Sequence, residues 1–265
     1  MYILISMKKI IFTDLDGTLL DYKDYSYDEA EEGLELIKRE SIPLIICSGK
    51  TRLEIELYRK KLGNKHPFIS ENGGGVFIPK GYFEFEFDFD SSDEDYFIIK
   101  LGLSHDELIS KIKGLKEKVS FEGFSDMSVE EISNSTGLPL NQAELAKKRE
   151  FSEPIKINSD EVEMFKEEVE KLGLKQTHGG RFYHIMGGSD KGKAVKILIE
   201  LFRKKFGEME SVGIGDSRND FRMLDNVDKA YMVKKEDGSF SSKDYIMVDG
   251  VSSVGWNKVV IEELQ

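Results

Sequence analysis

Three short apolar runs, each cut off by small or acidic residues, constrain this chain more than any other feature. KKIIFTDLD carries Ile10–Phe12 into Asp14 and Asp16, PLIICSGK ends on Ser48 and Gly49, and SVGIGDSRND ends on Asp216. Runs this short and uniformly apolar suit strands buried on both faces, and a helix-patterned segment follows each. After the first, SYDEAEEGLELIKRE offers Ser26 and Glu29 as a capping box, with Ala30, Leu34 and Ile37 as the apolar face. TRLEIELYRKKLG follows the second, and a helix from about Asn219 the third. PFISENGGGVFIP adds a strand, a glycine turn and a return strand. This strand–turn–helix repetition predicts an α/β fold: a Rossmann-like, mostly parallel sheet with helices on both faces.

Near residue 81 the pattern changes. GYFEFEFDFD alternates aromatic and acidic residues at period two, which predicts a sheet with one wet face. SHDELISKIKGLKEK reads as a helix capped by Ser104 and Glu107; SDEVEMFKEEVEKLG is a second, with Val162, Phe165, Val169 and Leu172 on one face. LKQTHGG and RFYHIMG read as a hairpin. Residues 82–187 are therefore expected to form an inserted α+β cap, its helices on one face of an antiparallel sheet. Residues 1–81 and 188–265 would form the two parts of the core. The second part holds a helix over 190–206, strands at SVGIG, AYMVKK and DYIMVDG, and a closing helix in VSSVGWNKVVIEEL. Open α/β sheets bind ligands beyond the carboxyl ends of their strands, where such an insert would sit.

The 265 residues allow a large core and two unequal domains. No apolar stretch reaches ~18 residues, and MYILISMKKIIFT reads as an opening strand rather than a secretory segment. A soluble, cytoplasmic protein is expected. Cys47 is the sole cysteine, which excludes an intrachain disulfide and a multi-cysteine metal site. Its place inside an apolar run marks it as a small core residue. A net charge of −12 argues against a nucleic-acid partner, and no membrane partner is expected. A small anionic ligand would need cations gathered locally. A homodimer is left open. Abundant Lys and Glu beside three Gln (142, 176 and 265) point to a thermophilic source.

Asp14 and Asp16 follow a buried strand at a turn that Gly17 permits, and Asp216 and Asp220 follow another, with Asn219 between them. Close carboxylates repel one another unless a cation or a shared proton relieves them. Turn-forming aspartates would account for one such cluster, but not for two at strand ends facing one crevice. The pair suggests a hard divalent cation with oxygen ligands, Mg²⁺. A phosphate would find a cradle at Ser48 and the Gly49 amide, where a strand meets a helix start. SDKG places Lys191 at another helix start, a position the helix dipole disfavours for a cation.

DLDGT, a strand-ending Ser–Gly, a lone Lys and GDSRND, in that order over residues 14–220, resemble the haloacid-dehalogenase-like phosphotransferase superfamily. The arrangement is similar to its Cof-type and sugar-phosphatase members, which carry a C2-type cap. The resemblance implies Asp14 as the nucleophile that becomes an aspartyl-phosphate and Asp16 as general acid/base. It implies that Ser48, Gly49 and Lys191 hold the phosphoryl group. Mg²⁺ would bind at Asp14, the backbone carbonyl of Asp16, and Asp216, with Asp220 in support and Asn219 positioning its neighbours.

Within the expected cap, AKKREFSEPIKI gathers Arg149, Glu150, Ser152 and Glu153, partners suited to a carboxylate and to hydroxyls. The REFSEP wording and the GGRFYHIMG hairpin look like the mannosyl-3-phosphoglycerate phosphatase branch. That likeness implies 2-O-(α-mannosyl)-3-phosphoglycerate as substrate, with phosphate and mannosylglycerate, a compatible solute, as products. It adds Arg181 and His184 as substrate contacts. Lys50 stands where many Cof-type relatives carry Arg, a point charge in place of a planar fork. Other readings are a sugar-phosphate phosphatase of different specificity, a phosphomannomutase-like phosphotransferase, and a non-catalytic sugar-phosphate-binding module. The last would need neither Asp14 nor Asp16.

Overall fold

The computed structural model describes residues 8–179 and 182–265; the opening MYILISM of the expected first strand and Arg181 lie outside the described residues. The chain begins with β1 (Lys8–Thr13), α1 (Glu31–Arg39), β2 (Leu44–Cys47), α2 (Arg52–Leu62), β3 (Phe68–Ser70), β4 (Gly75–Pro79), β5 (Ser91–Ser92) and β6 (Tyr96–Lys100). A smaller domain follows, with α3 (His105–Ile112), β7 (Phe121–Gly123), α4 (Val129–Thr136), α5 (Leu140–Lys147), β8 (Ser152–Ile157), α6 (Val162–Lys171), β9 (Lys175–Gly179) and β10 (Phe182–Met186). The return to the core comprises α7 (Lys191–Phe206), β11 (Met209–Gly215), α8 (Phe221–Leu224), β12 (Lys229–Lys234), β13 (Ile246–Val251) and α9 (Ser252–Leu264).

The large sheet runs β13-β12-β11-β1-β2-β3-β4-β6-β5, parallel from β13 to β3 and antiparallel beyond. Alternation along its strands sorts the core into two layers. Ile11, Leu44 and Ile46 pack with Ala30, Ile37, Tyr58 and Trp256 from the α1, α2 and α9 side. Their neighbours Ile10, Phe12, Ile45 and Cys47 pack with Ala194, Leu198, Phe202 and Met223 from α7 and α8. Each Ile, Leu, Phe or Met among them contributes about 1.5–3 kcal/mol on burial. Cys47 is a buried core residue, as expected.

Three expectations need correction. First, Ser26 and Glu29 form no capping box. The Ser26 hydroxyl accepts from the Asp28 amide instead, and a 3₁₀ turn over Asp28–Ala30 precedes α1. Second, the Phe/acid alternation at 82–89 is not a strand. β4 is paired on both sides, by β3 and β6, and the outer edge of β6 takes up Ser91–Ser92, which follow the segment, rather than the segment itself. Its period reports one apolar face, which packs Phe83 and Phe87 beside Phe202 of α7. Third, the insert does not begin at residue 82 in terms of sheet membership, since β5 and β6 extend the large sheet to Lys100.

The small sheet, β7-β8-β10-β9, is antiparallel throughout. Leu108 and Ile112 of α3 and Phe165 and Val169 of α6 cover one face, against Ile155 and Ile185. The expected Ser104–Glu107 capping box starts α3. Of the face expected for α6, Phe165 and Val169 are buried while Leu172 is exposed. The hairpin α4–α5, which local patterning did not single out, closes a second apolar cluster with Phe124 and Phe182.

The turn β3–β4 approaches the start of α7 at Gly73, whose φ is +93° and where a Cβ would lie 2.3 Å from the Asp190 carbonyl. Gly73→Ala should therefore destabilise the fold by about 3 kcal/mol or more. Urea unfolding would test this, and a midpoint equal to that of the unsubstituted protein would contradict the contact.

Candidate active site

β1 lies between β2 and β11, so connections leave it in opposite directions and a crevice opens at the carboxyl ends of these strands. Asp14 follows β1, Ser48 follows β2 and Asp216 follows β11. The Asp14 amide still donates to the Ile214 carbonyl at 3.1 Å, which holds the first carboxylate beside the β11 end. The Thr13 hydroxyl donates to the Asp14 carbonyl and accepts from the buried Trp256 indole at 3.0 Å. Gly17, at φ +78°, makes the turn that lets the Tyr22 ring pack against it.

Asp14, Asp216 and Asp220 are all buried and each offers an oxygen within 4.8 Å of the others. Lys191 lies against them, with Nζ at 2.8 Å from Asp14 Oδ1 and 2.6 Å from Asp220 Oδ1. Its side chain is wholly buried. Burial alone would lower the Lys191 pKa, but the two carboxylates outweigh it and hold the ammonium charged, above its usual range. Asp190 caps α7 by accepting from the Lys193 amide at 2.8 Å, which removes one reason for the helix start to reject a lysine.

Burial, offset by Lys191 and reinforced by Asp220, pushes the Asp14 carboxyl up to about 7. Asp216 is raised well above the usual range by burial and then by Asp220 and Asp14. Thr18 and Tyr22 donate to its two oxygens at 3.0 and 3.2 Å. Asp220 Oδ2 accepts from the amides of Asp216 and Ser217, both at 3.1 Å. Three buried carboxylates facing one ammonium leave uncompensated negative charge, and their all-oxygen donor set fits a hard divalent cation such as Mg²⁺. The Asp16 side chain lies outside this cluster; its expected metal contribution was the backbone carbonyl.

The Asp16 carboxylate turns instead to Lys50, 3.0 Å from Nζ, and is 35% exposed. Its pKa is raised by burial, against the lowering effect of Lys50. Lys50 also lies 3.6 Å from Glu54, and its Nζ sits over the rings of Tyr25 and Tyr58. The Ser48 hydroxyl accepts from the Lys50 amide at 3.3 Å. Asn219 donates to Asn72 Oδ1 at 3.3 Å, bringing the ends of β3 and β11 together across the crevice.

A cleft between core and small domain is lined by Asp14, Asp16, Ser48, Gly49, Asn72 and Asn219 below. Arg149, Pro154, Phe182, His184, Phe124 and Leu138 line it above. Burial and then the Arg149 charge lower the His184 pKa to about 3, so the imidazole is neutral. Its Nδ1 is buried without a partner among the described residues.

The expected group of cap contacts divides. Pro154 and His184 are paired across the β8–β10 ladder and face the cleft, whereas Glu153 and Ile185, one step along, face the helices. Glu153 is therefore corrected from substrate contact to internal anchor. It accepts from the Ser125 amide and hydroxyl and pairs with His105 at 2.8 Å. Ser152 is spent on Glu71 and Arg149, and Glu150 is absent from the lining. Arg149 and His184 reach the cleft; Arg181 lies outside the described residues. Reading local motifs missed Thr18, Tyr22, Glu54, Glu71 and Asn72. The SENGG turn, flanked by strands, was the one signal that could have drawn attention to the last two.

A family model of haloacid dehalogenase-like hydrolases matches residues 11–239. Among similar proteins, a glucosyl-3-phosphoglycerate/mannosyl-3-phosphoglycerate phosphatase of Persephonella marina is 46% identical over 95% of each chain. One of the same name from Methanococcoides burtonii is 42% identical over 97% of each. A mannosyl-3-phosphoglycerate phosphatase of Pyrococcus horikoshii is 41% identical over 86% of this chain and 91% of its own. Among solved structures, one from Thermoplasma acidophilum shares the fold with a TM-score of 0.70 at 21% identity, covering 98% of this chain and 100% of that one.

The raised Asp14 carboxyl binds its proton more tightly in the folded than in the unfolded chain. Metal-free protein should therefore lose stability as pH climbs from about 4 to about 7. A divalent cation must displace that proton, so Mg²⁺ should raise the melting temperature by several degrees near pH ~8 and by less near pH ~6. Melts of chelated protein with and without Mg²⁺ at both values test this; an equal shift, or none, contradicts it.

Proposed function

The chain belongs to the haloacid dehalogenase-like hydrolases, in their glucosyl/mannosyl-3-phosphoglycerate phosphatase family, and from that premise we propose how its residues divide the work. It is a Mg²⁺-dependent phosphoric monoester hydrolase acting on mannosyl-3-phosphoglycerate at an aspartate-centred site. The observation that carries the reading is the Asp14–Lys191–Asp220 contact with Asp216 alongside, under a cleft that also holds Asp16.

Asp14, Asp216 and Asp220 would hold Mg²⁺, which when bound supplies positive charge to the phosphoryl oxygens. Lys191, held charged, keeps one N–H free of its two carboxylates for the same group. Ser48 and Gly49 meet the phosphoryl group from the β2 side. Asp14 attacks phosphorus as the ester P–O bond breaks, and the phosphoryl group passes to its carboxylate. Asp16, its carboxyl raised by burial against the pull of Lys50, serves as the acid that gives a proton to the departing oxygen. A water then attacks the phosphoryl group while Asp16 takes its proton. The bond between Asp14 and phosphorus breaks, phosphate leaves and both carboxyl groups are restored. Lys50 orients Asp16 and balances its charge after it has given up the proton.

The upper wall supports a sugar ester. Phe124, Phe182 and Leu138 offer apolar faces, and neutral His184 offers an unpartnered buried nitrogen for a hydroxyl. Two of the similar proteins carry both the glucosyl and the mannosyl ester in their names, so we include the glucosyl ester among the substrates. A cytoplasmic setting belongs to the same reading. Among the described residues, no helix is long and apolar enough to cross a membrane.

Phosphate release from both sugar esters should require Mg²⁺, and Asp14→Asn should lower it on the order of 10³-fold or more without unfolding the protein. Near-normal release by that variant would remove Asp14 as the nucleophile. Turnover in ¹⁸O-water should place heavy oxygen in the released phosphate. Retention of the phosphoryl group on an isomerised sugar would mark a phosphotransferase instead.

A further inference from the structure

Glu71 is a carboxylate with no exposed surface, set directly after β3. Both it and Asn72 adopt positive φ, +49° and +55°. Two consecutive non-glycine residues in that region cost energy and persist only where surrounding bonds hold them. Those bonds run to the phosphate cradle: the Glu71 amide donates to the Lys50 carbonyl and the Asn72 amide to the Ser48 carbonyl, both at 3.0 Å.

The Glu71 side chain reaches the other way, into the small domain. It accepts from the backbone amides of Glu150 at 2.8 Å and Phe151 at 3.1 Å, and from the Ser152 hydroxyl at 2.7 Å. It also pairs with Arg149 Nε at 3.2 Å. Arg149 Nη2 then donates to the Gly49 carbonyl at 2.9 Å and to Ser152 at 2.6 Å. Nε, despite its ion pair with Glu71, makes no hydrogen bond, and Nη1, with a Glu54 oxygen 4.0 Å away, makes none among the described residues; Arg149 lines the cleft. One residue thus ties Ser48–Lys50, which faces the phosphoryl group, to the segment that presents a guanidinium edge to the rest of a substrate.

We propose that Glu71 is a positioning residue that registers the Arg149–Ser152 segment against the Ser48–Lys50 cradle, so that the free Arg149 edge meets the carboxylate of a bound ester. The proposal rests on the phosphatase reading above. It explains why polar groups of the REFS stretch that never reach the cleft are still bound: the Glu150 and Phe151 amides and the Ser152 hydroxyl form the joint with Glu71. An ester too small to reach Arg149 gains nothing from this register, whereas a carboxylate-bearing sugar ester depends on it.

Glu71→Gln keeps the shape but removes the charge that faces Arg149. KM for mannosyl-3-phosphoglycerate should rise about tenfold or more, with kcat much less affected, while p-nitrophenyl phosphate turnover should stay within about twofold. Amide hydrogen exchange at Glu150 and Phe151 should quicken at the same time. Equal losses on both esters, no loss on either, or unchanged exchange at those two amides would overturn the proposal. Unsubstituted protein that hydrolyses p-nitrophenyl phosphate but not the sugar ester would sink the substrate reading instead, and the exchange measurement would still decide the joint.

Removing one charge of a buried pair can itself unfold a protein. If Glu71→Gln does not fold, the double variant Glu71→Gln/Arg149→Met, which removes both charges, should fold and still show the raised KM. A folded double variant with an ordinary KM would overturn the proposal.

Discussion

The contact of Lys191 with Asp14 and Asp220 is the interaction on which the rest of the molecule depends. Taking an ion out of water costs several kcal/mol even after relaxation, and here four charged groups share one dry end of a sheet. The ammonium offsets part of that cost, and the raised Asp14 and Asp216 carboxyls show how much remains. Two strand ends, those of β1 and β11, and one helix start have to meet within a few ångströms to make the contact. The parallel order β2-β1-β11 supplies the first requirement. The second needs the start of α7 pressed close, which a side chain at Gly73 or Gly192 would block.

Above that charged floor, the small domain contributes mainly through strand parity. Alternate residues of β8 and β10 go to the helices or to the cleft, and the ladder pairs Pro154 with His184 and Glu153 with Ile185. A cleft-facing wall and an internal anchor are thus interleaved along one strand. Glu153 is as polar as a ligand contact would be, yet it serves Ser125 and His105. Arg149 stands just before the strand, so it escapes this alternation and can touch core and cleft together.

Much of the core was legible from local patterns. DLDGT, CSGK and GDSRND lie directly after apolar runs, and the burial of those runs on both faces leaves their ends as the only place for polar chemistry. The Ser104–Glu107 capping box was readable because both bonds lie within one helical turn. Ser26 and Glu29 show the limit of the same logic, for a neighbouring 3₁₀ turn satisfied the amides differently. The Phe/acid alternation at 82–89 was misleading because period two reports which side is buried and says nothing of whether a strand edge is free to pair.

By itself, then, the sequence determined which polar groups stand at element ends and in what order: Asp14 and Asp16, Ser48, Lys191, Asp216 and Asp220, each placed there by short-range propensity and hydrophobic period. Tertiary structure alone decided their partners. Lys191 finds Asp14 across 177 positions, and Glu71 finds Phe151 across 80. Which polar residues of REFSEP would read a substrate and which would bind the domains together depended on strand parity and on a buried carboxylate elsewhere in the chain. Residue type cannot carry that information, because the same carboxylate or guanidinium serves either purpose until packing fixes what lies opposite.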